Sequence, residues 1–338
     1  MRQYISKSAM LLLFSVAILC GIYPAALWAI GQSIFPFQAN GSMVNGPDNT
    51  AVGSLLIAQP FTKDEYFQPR PSAASYDASA SASSTLAASN YALRNRVANA
   101  LGPIVKYKSG PKSGQLVGPD IETWFQQDHY MGQPHAVAQW ADAHNSLAQA
   151  WVNADPTHAQ YVDDWTKKHA SVVQQWIKDN PGTPQPKAPD LAVVFFETFS
   201  KENPGQFPAA VTRQEGGKTV TTIEPVKEGT DIQSTFFDMW RQEHPAADLQ
   251  NVPGDMVTTS GSGLDPHITL ENAEFQLDRV ASKWARDTKR DPAQVRGEIE
   301  HILQAKAQAP MYGLWGETIV NVLEVNLELR KHYGAPPA

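Results

Sequence analysis

The side chains with the most chemistry to offer lie in one stretch, Ser260-Gly261-Ser262-Gly263-Leu264-Asp265-Pro266-His267. Two glycines permit unusual backbone angles and the close approach of another segment. Asp265 can cap the following turn and Pro266 stiffens it, while His267 can bond locally or across an interface. These residue types suit a shaped turn ahead of a helix and a contact loop equally well. Elsewhere the spacings exclude more than they offer. Gly217-Lys218-Thr219 resembles the end of a phosphate-binding loop. That loop requires Gly at position 212, which is Thr, and must open a helix, whereas Val220-Thr221-Thr222-Ile223 favours a strand. A hairpin with a Gly216-Gly217 turn is the better reading. The nine His are scattered. His129 and His135 alone are too few for a metal site, which needs three or four ligands. No Gly-x-Ser-x-Gly elbow appears, and no carboxylate pair sits in an apolar setting suited to acid–base work. The expectation is no catalytic residue and no metal site.

The elements that must carry the Ser260–His267 loop begin with an N-terminal apolar run. Arg2 and Lys7 are the only charges before Asp48, and the most apolar part extends from about Ala9 to Ile30. Roughly 20 such residues cross a bilayer as a helix. The two cations favour a cytoplasmic N-terminus, and Tyr23 and Trp28 suit the far interface. Pro24 is a candidate kink, and Gly21 and Pro24 are candidate helix-packing positions within the membrane, because small residues let helices approach. A cleavable export signal would have an apolar core of roughly 7–15 residues and a small-x-small site, whereas here Leu27 and Trp28 interrupt the best small-residue cluster. A lipid-modified Cys20 is disfavoured by Leu19 before it. Cys20 is the only cysteine, so the rest of the chain cannot form an internal disulfide. A net charge of −7 argues against a nucleic-acid surface.

The remainder reads as an α/β domain interrupted by a mainly helical insertion. Ser33 to Tyr76 suggests short strands and turns, and Ala73 to Ser89 an Ala/Ser-rich loop. Trp becomes frequent from about residue 104 to 248. Within that span an aromatic is followed five positions later by Pro four times: Trp151/Pro156, Trp176/Pro181, Phe199/Pro204 and Trp240/Pro245. Each Pro should end a short helix. The repetition fits an internal duplication, and it fits repeated helix-end chemistry without common ancestry better. Further on, Thr269 caps a predicted helix with Ala273, Leu277, Val280, Ala281 and Trp284 on one face. Asp291-Pro292 opens another, lined by Val295, Ile299, Ile302 and Leu303. From Ile319 to Leu329 both helical and alternating spacings are present, and a helix through Val320, Leu323 and Leu327 is expected.

The stretch Pro253-Gly254-Asp255-Met256-Val257-Thr258-Thr259, continued through the Ser260–His267 loop to Ile268, closely resembles the signature of the KdpC family. KdpC is the C subunit of the Kdp potassium-transporting P-type ATPase. Other matching features occur in order: Phe35-Pro36, Gln38-Ala39-Asn40-Gly41-Ser42, Gly53-Ser54, Leu56-Ile57-Ala58-Gln59-Pro60-Phe61, Tyr66-Phe67, Arg70-Pro71-Ser72-Ala73 and Tyr76-Asp77-Ala78. After the signature come Gln276, Arg279, Val280 and Ala281, then Gly313-Leu314, Gly316-Glu317, Val320-Asn321-Val322-Leu323 and Asn326-Leu327. The resemblance covers about 1–101 and 251–330. It departs from the family pattern at Ser81–Tyr91, where the usual Gly and Pro are replaced, and at Thr318-Ile319.

The resemblance implies a non-catalytic accessory subunit of an ATP-driven potassium uptake complex. It would support assembly with a channel-like A subunit, an ATP-hydrolysing B subunit and a small F subunit, and would raise the ATP affinity of B. The complex uses ATP, Mg2+ and K+; the chain itself is expected to hold no cofactor. The implied layout is a cytoplasmic N-terminus over 1–7, a transmembrane helix over 8–31, an extracytoplasmic core over 32–103 and 249–338, and the atypical insertion over 104–248. The location is the bacterial cytoplasmic membrane, with lipid as a further partner. Candidate partner contacts are Ser260, Gly261, Ser262, Gly263, Asp265, Pro266, His267, Arg70, Pro71, Ser72, Gln59 and Asn321. Charge places the signature outside while ATP is inside, so an ATP effect should be indirect, through linked equilibria. Two other readings stand beside this one. One is an anchored binding module using the Trp-rich insertion, since such surfaces suit glycan or peptide contacts; the competing expectation is that these Trp are core. The other, weaker for want of a nucleophile or metal pattern, is an anchored hydrolase.

Overall fold

The computed structural model describes residues 2–46 and 50–334. It opens with a continuous helix, Gln3–Ile34, long and apolar enough to cross a membrane, no part of whose apolar window is buried. At the helical rise its 32 residues span about 48 Å, more than a hydrocarbon core of about 30 Å. The helix widens to a π turn over Ala17–Ile22, where the Tyr23 N–H reaches back to the Ile18 carbonyl. Pro24 explains the widening: it has no N–H for the Cys20 carbonyl, and its ring needs the room a π turn gives.

The remainder mixes helices with sheets, and among the described residues every sheet is a two-stranded antiparallel pair. The chain gathers into two compact units. One comprises the residues up to Thr85 and those from Pro253 onward; the other is Leu86–Val252.

In the first unit, three helices, Leu270–Thr288, Pro292–Lys306 and Val322–Tyr333, enclose the core. The predicted face of Ala273, Leu277, Val280, Ala281 and Trp284 is buried, as are Val295, Ile299 and Leu303, with Ile302 partly buried against them. Thr269 caps the first helix by accepting from the Asn272 N–H at 3.1 Å, and Asp291 caps the second through the Gln294 N–H at 2.9 Å. One expectation is corrected. Val320 lies in a strand, Ile319–Asn321, paired with His267–Thr269, and the last helix starts only at Val322, capped by Asn321. Both spacings in that segment are real, and they belong to consecutive elements. A second strand pair, Met43–Asn45 with Ala51–Ser54, follows the long N-terminal helix.

A carboxylate cluster ties the second and third helices of this unit. Glu298 accepts from the Arg290 guanidinium, from the Tyr333 hydroxyl at 2.9 Å and from the His332 ring at 3.3 Å. The guanidinium, with the hydroxyl and ring, holds this carboxyl at about 2, against an ordinary value of about 4.3. A folded-state pKa below the unfolded one adds stability that is complete above the unfolded value and is lost as pH falls towards the folded value. Melting temperature should therefore fall more steeply from about pH 5 to about pH 2.5 in the wild type than in Arg290→Ala, whose Glu298 is nearer normal. Parallel slopes would contradict the assignment.

The second unit is helical with one long hairpin. Its core holds Trp124, Trp140, Trp165 and Trp240 as buried residues, with Trp151 and Trp176 partly buried against them. Within it Trp140 packs against Phe196 at 5.2 Å, Phe207 at 5.6 Å and Phe236 at 6.0 Å between ring centroids. The Trp residues are thus chiefly core. The hairpin pairs Phe207–Glu215 with Lys218–Val226 in unbroken register. Its two-residue turn is Gly216-Gly217, with φ of 58° and 78°, the geometry for which Gly-Gly is suited. Lys218 therefore starts a strand and the phosphate-loop likeness is spurious.

All four aromatic–Pro pairs end helices before the Pro: Asn145–Val152, Ala170–Asp179, Ala192–Glu202 and Thr230–Glu243. In three of them the residue just before the Pro, Asn180, Asn203 or His244, turns its side chain back to the aromatic's carbonyl, at 2.9, 3.1 and 2.8 Å. His144 on Trp140 and His169 on Trp165 do the same without a Pro. The five stop residues share φ between −130° and −116° and ψ between 38° and 68°. The common cause is satisfaction of carbonyls that a helix end leaves open. Two of these helices share more than their stop. Asp190-Leu191, Phe195-Phe196, Phe199 and Glu202-Asn203-Pro204 recur at the same spacing as Asp231-Ile232, Phe236-Phe237, Trp240 and Glu243-His244-Pro245, which favours duplication for that pair.

Candidate partner-contact site

The signature loop sits in the first unit, held by hydrogen bonds from the irregular segment between Leu55 and Thr85. Ala58 N–H donates to the Leu264 carbonyl at 2.8 Å and Ala82 N–H to the Ser262 carbonyl at 3.0 Å. The Ser81 hydroxyl also reaches Ser262 O, at 3.1 Å, and the Thr259 and Ser84 hydroxyls bond at 3.1 Å. Ser72 donates its hydroxyl to the Gly263 carbonyl and accepts from the Ala74 and Tyr76 N–H groups at 3.1 and 3.0 Å. Arg70 donates to the Thr259 carbonyl at 3.0 Å. The Ala/Ser-rich segment is therefore docked against the signature loop. Its small side chains are what let two backbones lie this close.

Gly263 is the tightest point. Its φ is +70°, and a Cβ there would stand 2.6 Å from the Ala82 carbonyl and 3.0 Å from the Ala74 nitrogen. No other residue fits both the backbone angle and the space. Beyond it, Asp265 accepts from the His267 backbone N–H and ring Nδ1, each at 3.0 Å. The His267 bond, with help from the Arg70 charge, holds the Asp265 carboxyl below the usual range. The Pro266 carbonyl receives the Val322 N–H at 3.0 Å, which fixes the loop to the start of the last helix.

The twelve candidate contacts thus divide by exposure. Ser260, Gly263, Pro266 and Asn321 are buried; Gly261 and Ser262 are exposed at the loop tip; Asp265, His267, Arg70, Pro71, Ser72 and Gln59 are intermediate. Asn321 donates to the Leu55 carbonyl at 2.8 Å, and Gln59 to the Val52 carbonyl at 2.9 Å. Their polar groups already have work within the chain. Of the twelve, the Gly261–Ser262 tip is the exposed part, while the Asp265–His267 pair shares partial exposure with Arg70, Pro71, Ser72 and Gln59. On the N-terminal helix, a Cβ at Gly21 would meet nothing within 4 Å. His129 and His135 bond separately, to the Gln127 carbonyl and to Asp128, and no group of three metal-ligating side chains occurs among the described residues.

Residues that the resemblance named only as matching positions, and Trp284 of the predicted helix face, hold the site in place. Asn326, 1% exposed, accepts from the Phe67 N–H at 2.8 Å and donates to the Phe67 carbonyl at 2.9 Å. Gln276 does the same for Gln68, at 2.8 and 3.1 Å. Arg279 reaches the Asp64 and Tyr66 carbonyls, and the Trp284 ring N–H the Glu65 carbonyl. Side chains here take the place of a neighbouring strand for Asp64–Gln68, which leads into Arg70. The available signal was an amide at each of two positions on otherwise apolar helical faces.

Fold and site together define a class: a mixed helix-and-sheet domain carried on one long apolar helix and organised around a hydrogen-bonded loop. Comparison with known proteins identifies the family. Residues 5–117 and 225–331 match the family model described as KdpC, the c chain of K+-transporting ATPase. A potassium-transporting ATPase KdpC subunit of Caulobacter sp. (strain K31) is 44% identical over 315 residues, covering 93% of this chain and 86% of that one. That of Citrifermentans bemidjiense is 43% identical over 328 residues, 96% and 95% of the two chains. That of Clostridium botulinum (strain Alaska E43 / Type E3) is 40% identical over 103 residues, 30% of this chain and 47% of that relative. The chain belongs to the KdpC family. Residues 118–224, which the family model leaves unmatched, lie within the second unit, and the first two relatives align through them.

Proposed function

We propose that this chain is a non-catalytic accessory subunit of an ATP-driven potassium uptake complex of the bacterial cytoplasmic membrane. Its partners are a channel-like A subunit, an ATP-hydrolysing B subunit and a small F subunit. The observation that supports this most directly is family membership carried by both sequence segments of the first unit, the same segments that build the signature loop and its supports. The Gln3–Ile34 helix crosses the membrane with Arg2 and Lys7 on the cytoplasmic side, and both units lie outside. In this arrangement the Gly261–Ser262 tip and the Asp265–His267 pair meet the channel-like partner, and Gly21 and Pro24 pack against its helices.

On this reading the signature loop and ATP are on opposite faces. The chain raises the ATP affinity of the B subunit by favouring one state of the complex, not by touching nucleotide. Purified full-length chain should give no ATP-binding signal up to about 1 mM, while the complex lacking the chain should show a raised KM for ATP. Binding of ATP by the isolated chain at lower concentrations would contradict the indirect route. The assignment as a whole is tested by deleting the gene in its host: growth at limiting potassium should fail, and be restored by the full chain. Undiminished growth would overturn it.

A further inference from the structure

A cleft of about 520 Å3 opens in the second unit, between the helices Tyr91–Leu101 and Thr230–Glu243 and the turn that joins Ala136–Ala143 to Asn145–Val152. We propose that it is a binding site for a neutral saccharide. The volume lies within the range of ligand pockets, about 300–1,000 Å3. Its polar wall is built in advance. The Tyr130 hydroxyl donates to Gln242 Oε1 at 2.8 Å, Gln242 Nε2 donates to Asp238 Oδ2 at 3.3 Å, and Arg94 donates to the same oxygen at 2.8 Å. This chain of bonds joins three separate elements and fixes the direction of an amide, a carboxylate and a guanidinium.

Each of those groups keeps capacity for a ligand, because a guanidinium has five donors and a carboxylate about four acceptor sites. Planar groups of this kind bond adjacent hydroxyls in pairs. The charges decide against an anionic ligand: Arg94 and Asp238 neutralise each other, which leaves Asp142 as the one unpaired charge among the described lining residues and makes a cation the rival that the putrescine control tests. Two rings complete the match. Tyr130 is held edge-on to Trp124 at 6.4 Å. Tyr91, at the cleft's rim, is 76% exposed, a placement that core packing does not explain. A sugar ring has a C–H face for such an aromatic surface and hydroxyls for the polar wall.

The test uses the full chain in mild detergent against a panel of neutral oligosaccharides of gluco-, galacto-, manno- and N-acetylglucosamine type, with putrescine and citrate as charged controls. Calorimetry should find at least one oligosaccharide with Kd below about 1 mM, weakened about tenfold by Asp238→Asn, the loss of one good polar contact. Tyr91→Ala should weaken it similarly with no change in melting temperature, since the exposed ring supports nothing. Absence of oligosaccharide binding across the panel would overturn the proposal. So would binding unchanged in both variants, or binding of putrescine or citrate alone. None of these outcomes depends on the transporter assignment.

Discussion

Asn326→Leu is expected to destabilise the first unit by about 2–6 kcal/mol, the cost of leaving two buried backbone groups without partners at about 1–3 kcal/mol each. Both groups belong to Phe67, which is 1% exposed and, among the described residues, bonds to no other side chain through its N–H or carbonyl. Leucine is close in size to asparagine, so the cavity contribution is small and the effect isolates the polar pairing. For a domain of this size the melting temperature should fall by about 10 °C. The loss should pass to the signature loop, because Phe67 and Gln68 anchor the segment that delivers Arg70 and Ser72 to it. Thermal melts of the full chain in detergent, beside an exposed Asn→Leu control, would check this. A fall of less than about 2 °C would show that the amide is dispensable.

Gly263→Val should abolish the loop's docked conformation. A β-branched residue at φ of +70° is strained by about 1–2 kcal/mol, and its Cβ would press on the Ala82 carbonyl at 2.6 Å, a backbone atom with no rotamer to escape through. The Ala/Ser-rich segment must then leave, releasing the bonds that Ala82 and Ser81 donate and the one that Ser84 accepts from Thr259. If the tip of this loop meets a partner subunit, potassium-stimulated ATPase activity of the purified complex should drop at least about tenfold, or about 1.4 kcal/mol of lost coupling. The second unit's melting, followed through its Trp residues, should not move. Gly261→Val, at an exposed position where a Cβ meets nothing within 4 Å, separates contact from folding. It should lower activity while the melting temperature holds.

The parts of this fold that were legible in the sequence are those set by local rules. Thr269 and Asp291 announced helix starts, the Ala273–Trp284 face announced its own burial, and Gly216-Gly217 announced a two-residue hairpin turn. Prolines marked four helix ends in the second unit, although the His and Asn side chains that close three of those helices went unread, since a polar residue four places after an aromatic looks like a solvent-facing one. Asn326 and Gln276 were named as matching positions, but for the same reason their role was not read. Their partners, Phe67 and Gln68, lie 259 and 208 residues away, and no period in the sequence encodes such a pairing. The Ile319–Leu329 segment failed differently: two elements meet at Asn321, and a single period was asked to describe both. The signature loop was found as a motif, but which of its residues face inward followed only from the docking of the Leu55–Thr85 segment.

Membership of the chain in a potassium-pumping complex is read out by affinity purification of the tagged full-length chain from mild-detergent membranes of its own host, grown at limiting potassium. A P-type ATPase subunit and a channel-like subunit should be retained, and the eluate should hydrolyse ATP in a potassium-stimulated manner. Recovery of the chain alone, with both partners expressed in the same membranes, would contradict it.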